Sequence, residues 1–142
     1  MNEQTLTVAL CRAEYEAMLR EAKERAPQEA CGLIAGTEEN GSRVIRKVYL
    51  LENTDHSAEH FSLNPAEQLA AIRDMRQRAL KPLGNWHSHP ATPSRPSEED
   101  IRLAFDQTAT YLILSLAGEA PVLNAFHIEQ GFARKENLMI KD

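Results

Sequence analysis

The chain is poor in cysteine, poor in positive charge and without a long apolar run, and each shortage closes off a class of protein. Cys11 and Cys31 are the only two cysteines among 142 residues. They form no C-x-x-C pair and cannot build a disulfide framework. A cytoplasmic protein with reduced thiols is the simplest reading. Lys and Arg together number 16 against 21 Asp and Glu, for a formal charge of −5. The basic residues are scattered, so no nucleic-acid surface is expected. No stretch approaches the ~20 apolar residues of a membrane span. The first residues, "MNEQTLTVALCRAEYEAM", lack the basic-then-apolar order of a signal peptide, and no membrane partner is expected. There is also no internal repeat, low-complexity tract or linker. What is left is one domain over residues 1–142, long enough to bury a core without disulfides or a structural metal. Its oligomeric state leaves no mark in the sequence.

What is present is an alternation of strand and helix signals. "LTVAL" reads as a short strand. Tyr15, Met18, Leu19, Ala22 and Ala26 then recur at helical spacing, and Pro27 stops that helix. "CGLIAG" (Cys31 to Gly36) is a buried strand, and "RVIRKVYLLEN" is its partner across the Asn40-Gly41 turn. "FSLN" suggests another short strand. Asn64 caps a helix that starts on Pro65, with Leu69, Ile72, Met75 and Ala79 as its apolar stripe. "PLGNWHSH" is strand-like. A third helix begins near Ser97, with Ile101, Ala104 and Phe105 facing inward. "TYLILSLAG" is the strongest strand, and the last residues form a hairpin turning near Gln130-Gly131. The expected class is α+β: a mixed, mainly antiparallel sheet with about three helices packed on it.

The chemistry concentrates in "NWHSHPATPSRPSEED". Residues two apart on a strand share a face, so His87 and His89 project together while Trp86 and Ser88 go the other way. Two imidazoles so placed can share a tetrahedral zinc, and catalytic zinc commonly takes three protein ligands and leaves a fourth position open. Asp100 can be the third. Three prolines between Pro90 and Pro96 hold the course of the loop that brings it back. The competing reading is that Ser97-Glu98-Glu99-Asp100 is only a helix capping box.

Together these residues resemble the JAMM motif of the MPN+ zinc metalloproteases, H-[ST]-H-P, six residues, then S-x-x-D, which this chain matches without a gap from His87 to Asp100. "PQEACGLIAG" is similar to the family's upstream element and places its glutamate at Glu29. The resemblance covers roughly residues 5 to 128, and the short form is similar to prokaryotic members. It implies a sheet between helices like that of the cytidine deaminases, although the deaminase signature itself is absent. It implies one zinc per chain on His87, His89 and Asp100, with Glu29 as the base that moves the water's proton and Ser97 as a hydrogen-bond donor to the oxyanion. It further implies a substrate: the C-terminal tail of a ubiquitin-like or sulfur-carrier protein. An extended tail of that kind is expected to lie along a sheet edge.

Other readings stand beside this one. A non-catalytic MPN module would bind such a protein without cleaving it; modules of that kind usually lack some ligands, which this chain keeps. A two-metal phosphoesterase would need a second cluster. Asp55, His56 and His60 sit in polar loop and read as solvated side chains. Cys31, inside an apolar strand, reads as a packing residue rather than a nucleophile. His127 has no visible partner, and Trp86 reads as a core residue.

Overall fold

The computed structural model describes residues 7–142; the opening residue of "LTVAL" lies outside that range. The elements are β1 (Thr7–Cys11), α1 (Arg12–Arg25), β2 (Cys31–Glu39), β3 (Ser42–Leu51), α2 (Pro65–Gln77), β4 (Lys81–His89), α3 (Glu98–Arg102), β5 (Thr110–Ser115), β6 (Val122–Glu129) and β7 (Phe132–Lys141). The α+β expectation holds. Antiparallel pairs join β2 to β3 and β4, and β6 to β5 and β7. Parallel pairs join β1 to β3 and β7, and β4 to β5.

The sheet closes on itself in the order β1-β3-β2-β4-β5-β6-β7, with β1 bonded to both β3 and β7. Every strand therefore has two neighbours, although β1 pairs with only residues 42–45 of β3, while β4 is paired on both sides at Asn85 and His87, where a guest peptide finds no free ladder edge. Pairing on both sides removes the unpaired ladder groups that would template such an addition at this part of β4. The concave side wraps the main core of Val8, Leu10, Ile34, Ile45, Trp86, Leu112 and Leu114, into which α1 presses Met18 and Ala22. Two smaller clusters lie on the outer side. One sits under α2 around Leu33, Tyr49, Ala71 and Met75; the other sits beside α3 around Tyr111, Ile113, Phe126 and Ile128.

Two glycines set the facing of β4. Gly32 pairs with Trp86, and a Cβ there would lie 1.7 Å from the Tyr49 carbonyl oxygen. Its absence lets the indole cross β2 and donate from Nε1 to that same oxygen at 3.0 Å. Gly84 has φ +152, and a Cβ there would lie 1.9 Å from the Thr110 carbonyl oxygen. The β2–β4 register shifts beside it. Leu83 consequently turns to the main core, while Asn85, His87 and His89 face outward.

Four details depart from the sequence expectations. "FSLN" contributes only an isolated bridge between Leu63 and Asn53, because the loop around it folds on side-chain bonds instead. On α2 the buried residues are Ala71 and Met75; Leu69 points about 200° from Ala71 and is half exposed. Ala79 lies beyond the Arg78 C-cap with φ 57. Helix α3 stops at Arg102, so the helical spacing that would carry Phe105 inward is lost, and Phe105 is 84% exposed.

Candidate metal and catalytic site

The outer face of β4 delivers His87 and His89, and the first turn of α3 delivers Asp100 between them. His87 Nε2 lies 3.1 Å from His89 Nε2, and Asp100 Oδ2 lies 3.2 Å from each. These three atoms form a nearly equilateral triangle. A zinc with ligand distances near 2.0–2.1 Å requires a tetrahedral face of roughly 3.3 Å on edge, so the triangle is close to the size the metal needs. It is the one group of at least three His, Cys, Asp or Glu side chains found poised for a metal among the described residues.

The protonation states suit the same task. Burial lowers the pKa of His87 against the opposing pull of Asp100, which keeps its ring neutral. At His89 burial also lowers the pKa, but the bonds to Asp100 and to the Pro93 carbonyl outweigh it and raise the value overall. Asp100 feels burial first, which disfavours its charge; the two histidines and the Ser97 amide overcome this and hold it far below the usual carboxylate range. His89 Nδ1 is 2.9 Å from the Pro93 carbonyl oxygen, to which it donates. That bond leaves the Nε2 lone pair aimed at the triangle. The proline-studded loop thus supplies the acceptor that sets the tautomer. His87 lacks such a partner: its Nδ1 is buried and unbonded, and Phe61 stacks on its ring with centroids 4.7 Å apart.

The capping-box reading and the ligand reading of Asp100 both hold. Ser97 Oγ accepts from the Asp100 amide at 3.0 Å, and Asp100 Oδ2 accepts from the Ser97 amide at 2.9 Å. The same Oδ2 faces the histidines. The box locks the carboxylate rotamer that closes the triangle, so cap and ligand geometry are one constraint. Ser97 uses only a lone pair in the cap, which leaves its O–H free to donate.

Glu29 lies in the short connection between α1 and β2 and is 3% exposed. Its Oε1 has no hydrogen-bond partner. Burial, chiefly, raises its pKa to about 8, with Asp100 and Glu99 adding and His89 opposing. A buried carboxyl in that condition suits a group that must take up and release a proton near neutral pH.

Three residues hold Glu29 in place, and sequence reasoning did not single out two of them. Ser88, between the two histidines but on the opposite face, accepts at Oγ from the Ala30 amide at 2.8 Å, while its own amide donates to the Ala30 carbonyl at 2.9 Å. The side chain thus takes the place of a ladder carbonyl and clamps the residue after Glu29 to β4. Asn53 Nδ2 donates to the carbonyls of Glu29 and His60, and its Oδ1 accepts from the amides of Asp55 and Ser62. The Ser57 carbonyl accepts from the Glu29 amide at 2.7 Å. A polar tract bounded by strand and helix signals offers no clue to which asparagine is the buried hub.

The other sequence candidates fall into place. Asp55 pairs with His60 at 2.9 Å and also accepts from Ser62 Oγ, which braces the loop and leaves the cluster outside the triangle. Cys31 is fully buried, and burial pushes its thiol up to about 12, far from a nucleophile's range. His127, expected to have no partner, lies 2.9 Å from Glu129 Oε1 on the same strand face. Trp86 packs in the core. A cleft of about 320 Å3 opens beside His87 and Asp100, walled by Phe61, Leu63, Leu103 and Tyr111.

The family described as prokaryotic homologs of the JAB domain matches residues 12–129. The chain is similar to the CysO-cysteine peptidase of Mycobacterium tuberculosis, with 35% identity over 112 residues, 78% of this chain and 75% of that protein. It is also similar to the desampylase of Pyrococcus furiosus, with 34% identity over 91 residues, 64% of this chain and 62% of that protein. Among solved structures, DSY2949 from Desulfitobacterium hafniense superposes with a TM-score of 0.87 at 46% identity, covering 95% of this chain and 93% of that one.

Proposed function

The chain belongs to the family of prokaryotic JAB-domain proteins, and from that premise we propose that it is a zinc-dependent peptidase or isopeptidase, a single domain over residues 1–142. In this reading it hydrolyses the bond at the C-terminal tail of a ubiquitin-like or sulfur-carrier protein. The single observation that carries the reading is the triangle of His87 Nε2, His89 Nε2 and Asp100 Oδ2, with edges of 3.1 to 3.2 Å. The names of the two relatives support the substrate class: one is a CysO-cysteine peptidase, the other a desampylase. No helix among the described residues is long and apolar enough to cross a membrane.

His87, His89 and Asp100 would hold one zinc, which when bound supplies Lewis acidity to the attacking water and the scissile carbonyl. Glu29 accepts the water's proton at Oε1, which has no hydrogen-bond partner among the described residues. A cation held by the triangle would favour the charged form of Glu29, the form that can accept the proton. As the new C–O bond forms, Ser97 donates its free O–H to the carbonyl oxygen on which charge develops. Glu29 then returns the proton to the departing nitrogen, the C–N bond breaks, and the carboxyl has turned over unchanged. Phe61, stacked on His87, excludes water from the ligand's ring face. The cleft lined by His87, Asp100, Leu63, Leu103 and Tyr111 opens beside the triangle and gives the approach to it.

The test is a carrier joined to cysteine or to a reporter through its native Gly-Gly end, compared with the same fusion carrying Val-Val. Cleavage confined to the Gly-Gly fusion is expected. Equal cleavage of both, or efficient cleavage of unrelated unfolded proteins, would make this a general peptidase. Binding of the carrier without cleavage by the zinc-loaded protein would make it a recognition module.

A further inference from the structure

One polar side chain on the outer face of β4 has no hydrogen-bond partner among the described residues. Asn85 precedes His87 by two residues on the same face, in register between Leu33 of β2 and Tyr111 of β5. Its Oδ1 is buried without a partner, and its side-chain amide makes no hydrogen bond among the described residues. Buried polar atoms are nearly always paired in folded proteins. An amide held at the floor of a cleft with neither end engaged is therefore a group whose partner comes from outside.

The surroundings say what that partner is. Asn85 lines two clefts: the one of about 320 Å3 beside His87 and Asp100, and a second of about 390 Å3 that reaches Arg43 and Lys81. Gln68 of α2 and Tyr111 of β5 line both as well, so the clefts meet across this row and continue along β4. The Tyr111 hydroxyl already donates to the Asp106 carbonyl at 3.1 Å. The near cleft has Phe61, Leu63 and Leu103 as its apolar wall and His60, Ser62, Gln68 and Glu99 as further polar lining. An extended peptide entering it brings one N–H and one C=O per residue and loses water from both. Here β4 is paired on both sides, so it offers no ladder group beside Asn85 to replace that water. A carboxamide is the side chain that serves both needs, accepting at Oδ1 and donating at Nδ2. No partner among the described residues fixes its flip, so either end can turn to the groove.

We infer that Asn85 reads the main chain of the substrate tail, bonding a peptide group two to three residues on the acyl side of the scissile bond. The spacing follows from the strand: two residues of β4 span about 6.6 Å, the length of two residues of extended tail lying alongside. This rests on the tail-cleaving reading above. It makes Asn85 a specificity residue that selects extended, narrow main chain.

The test is calorimetric titration of the zinc-loaded protein with a synthetic acetylated octapeptide ending in Gly-Gly. Alongside it run the same peptide N-methylated at each of its last three amides, and the variants Asn85→Leu and Asn85→Gln. Asn85→Leu is expected to weaken binding by about tenfold. Its zinc content should be unchanged, and its Tm unchanged or raised by about 2 °C, because an unpartnered amide has left the floor. One N-methyl position should weaken binding to the wild type by the same factor and cost Asn85→Leu nothing further. With the intact carrier fusion, Asn85→Leu should raise KM and leave kcat within about twofold. Asn85→Gln, which keeps the amide but displaces it, should fall between. Equal peptide binding by wild type and Asn85→Leu would overturn the inference, as would an N-methyl effect that persists in full in Asn85→Leu. Failure of the wild type to bind the peptide at millimolar concentration would also overturn it, while cleavage of the intact carrier fusion would leave the proposed function standing.

Discussion

The two faces of β4 carry alternate residues of one short sequence and are built to opposite rules. On the inner face, Trp86 and Ser88 are fully buried and every polar atom has a partner: the indole N–H on the Tyr49 carbonyl, the hydroxyl on the Ala30 amide. On the outer face, Asn85 Oδ1 and His87 Nδ1 are buried and unbonded, and the third such atom among the described residues is Glu29 Oε1, whose carboxyl feels the charges of His89 and Asp100. The orphaned atoms are thus not scattered through the fold. They gather where a metal, a water and a peptide would meet, and the inner face provides the rigidity that keeps them unsatisfied. Sites that must bind something hold polar groups in readiness at a cost in stability, and the cost is met elsewhere in the fold.

The contrast can be broken in order of effect. Glu29→Gln should lower kcat by roughly 10^3- to 10^4-fold while zinc binding persists, since the amide cannot take a proton; turnover near the wild-type rate would remove Glu29 from the chemistry. Asp100→Asn removes the anionic ligand and should weaken zinc binding by roughly 100-fold, read by competition with a chelating dye; unchanged affinity would reduce Asp100 to a cap. Ser97→Ala should cost about 10^2-fold in kcat through the lost donor and about 1 kcal/mol of stability through the lost cap; a stability loss with kcat intact would leave Ser97 as a cap alone.

Ser88→Ala tests the inner face. It should destabilise the fold by about 1–3 kcal/mol, because the Ala30 amide is left buried without an acceptor. It should also slow hydrolysis by loosening Glu29, whereas Ser88→Thr, which keeps the hydroxyl, should restore most of both. Equal behaviour of the two variants would separate the clamp from the base.

The smallest effect is a pH signature of the metal-free protein. The folded pKa of Glu29 is raised from 4.5 to about 8, with burial the main cause. A raised acid favours the folded state at low pH and loses that contribution as pH climbs from the unfolded value through the folded one. Relative to Glu29→Gln, the wild type should therefore lose Tm progressively between about pH 4.5 and 8 and run parallel above and below that range. Parallel curves throughout would mean that the carboxyl is not held as buried as its 3% exposure indicates.

How much of this was legible in the sequence varies with the range of the interaction that decides it. His87, His89 and Asp100 could be read because strand alternation and a proline-fixed loop are local. So could the Asn64 cap and the Asn40-Gly41 turn, where both residues take positive φ. Glu29 was reachable only through resemblance, because nothing around a loop acid reports that it will be buried against β4. Barrel closure was illegible, since it depends on β1 bonding to strands 31 and more residues away in both directions of the sheet order. Phe105 misled because five residues of helix do not carry a 3.6-residue stripe as far as the sequence suggests. Asn85 gave no signal at all: an asparagine before Trp-His is informative only once its neighbours across the sheet, Leu33 and Tyr111, are known.

The measurement that bears most directly on the account is metal analysis of the wild type and Asp100→Asn after reconstitution with zinc and desalting. The triangle of His87, His89 and Asp100 predicts close to one zinc per chain in the wild type and a clear deficit in the variant. Absence of zinc from the reconstituted wild type, or equal zinc in both proteins, would contradict it.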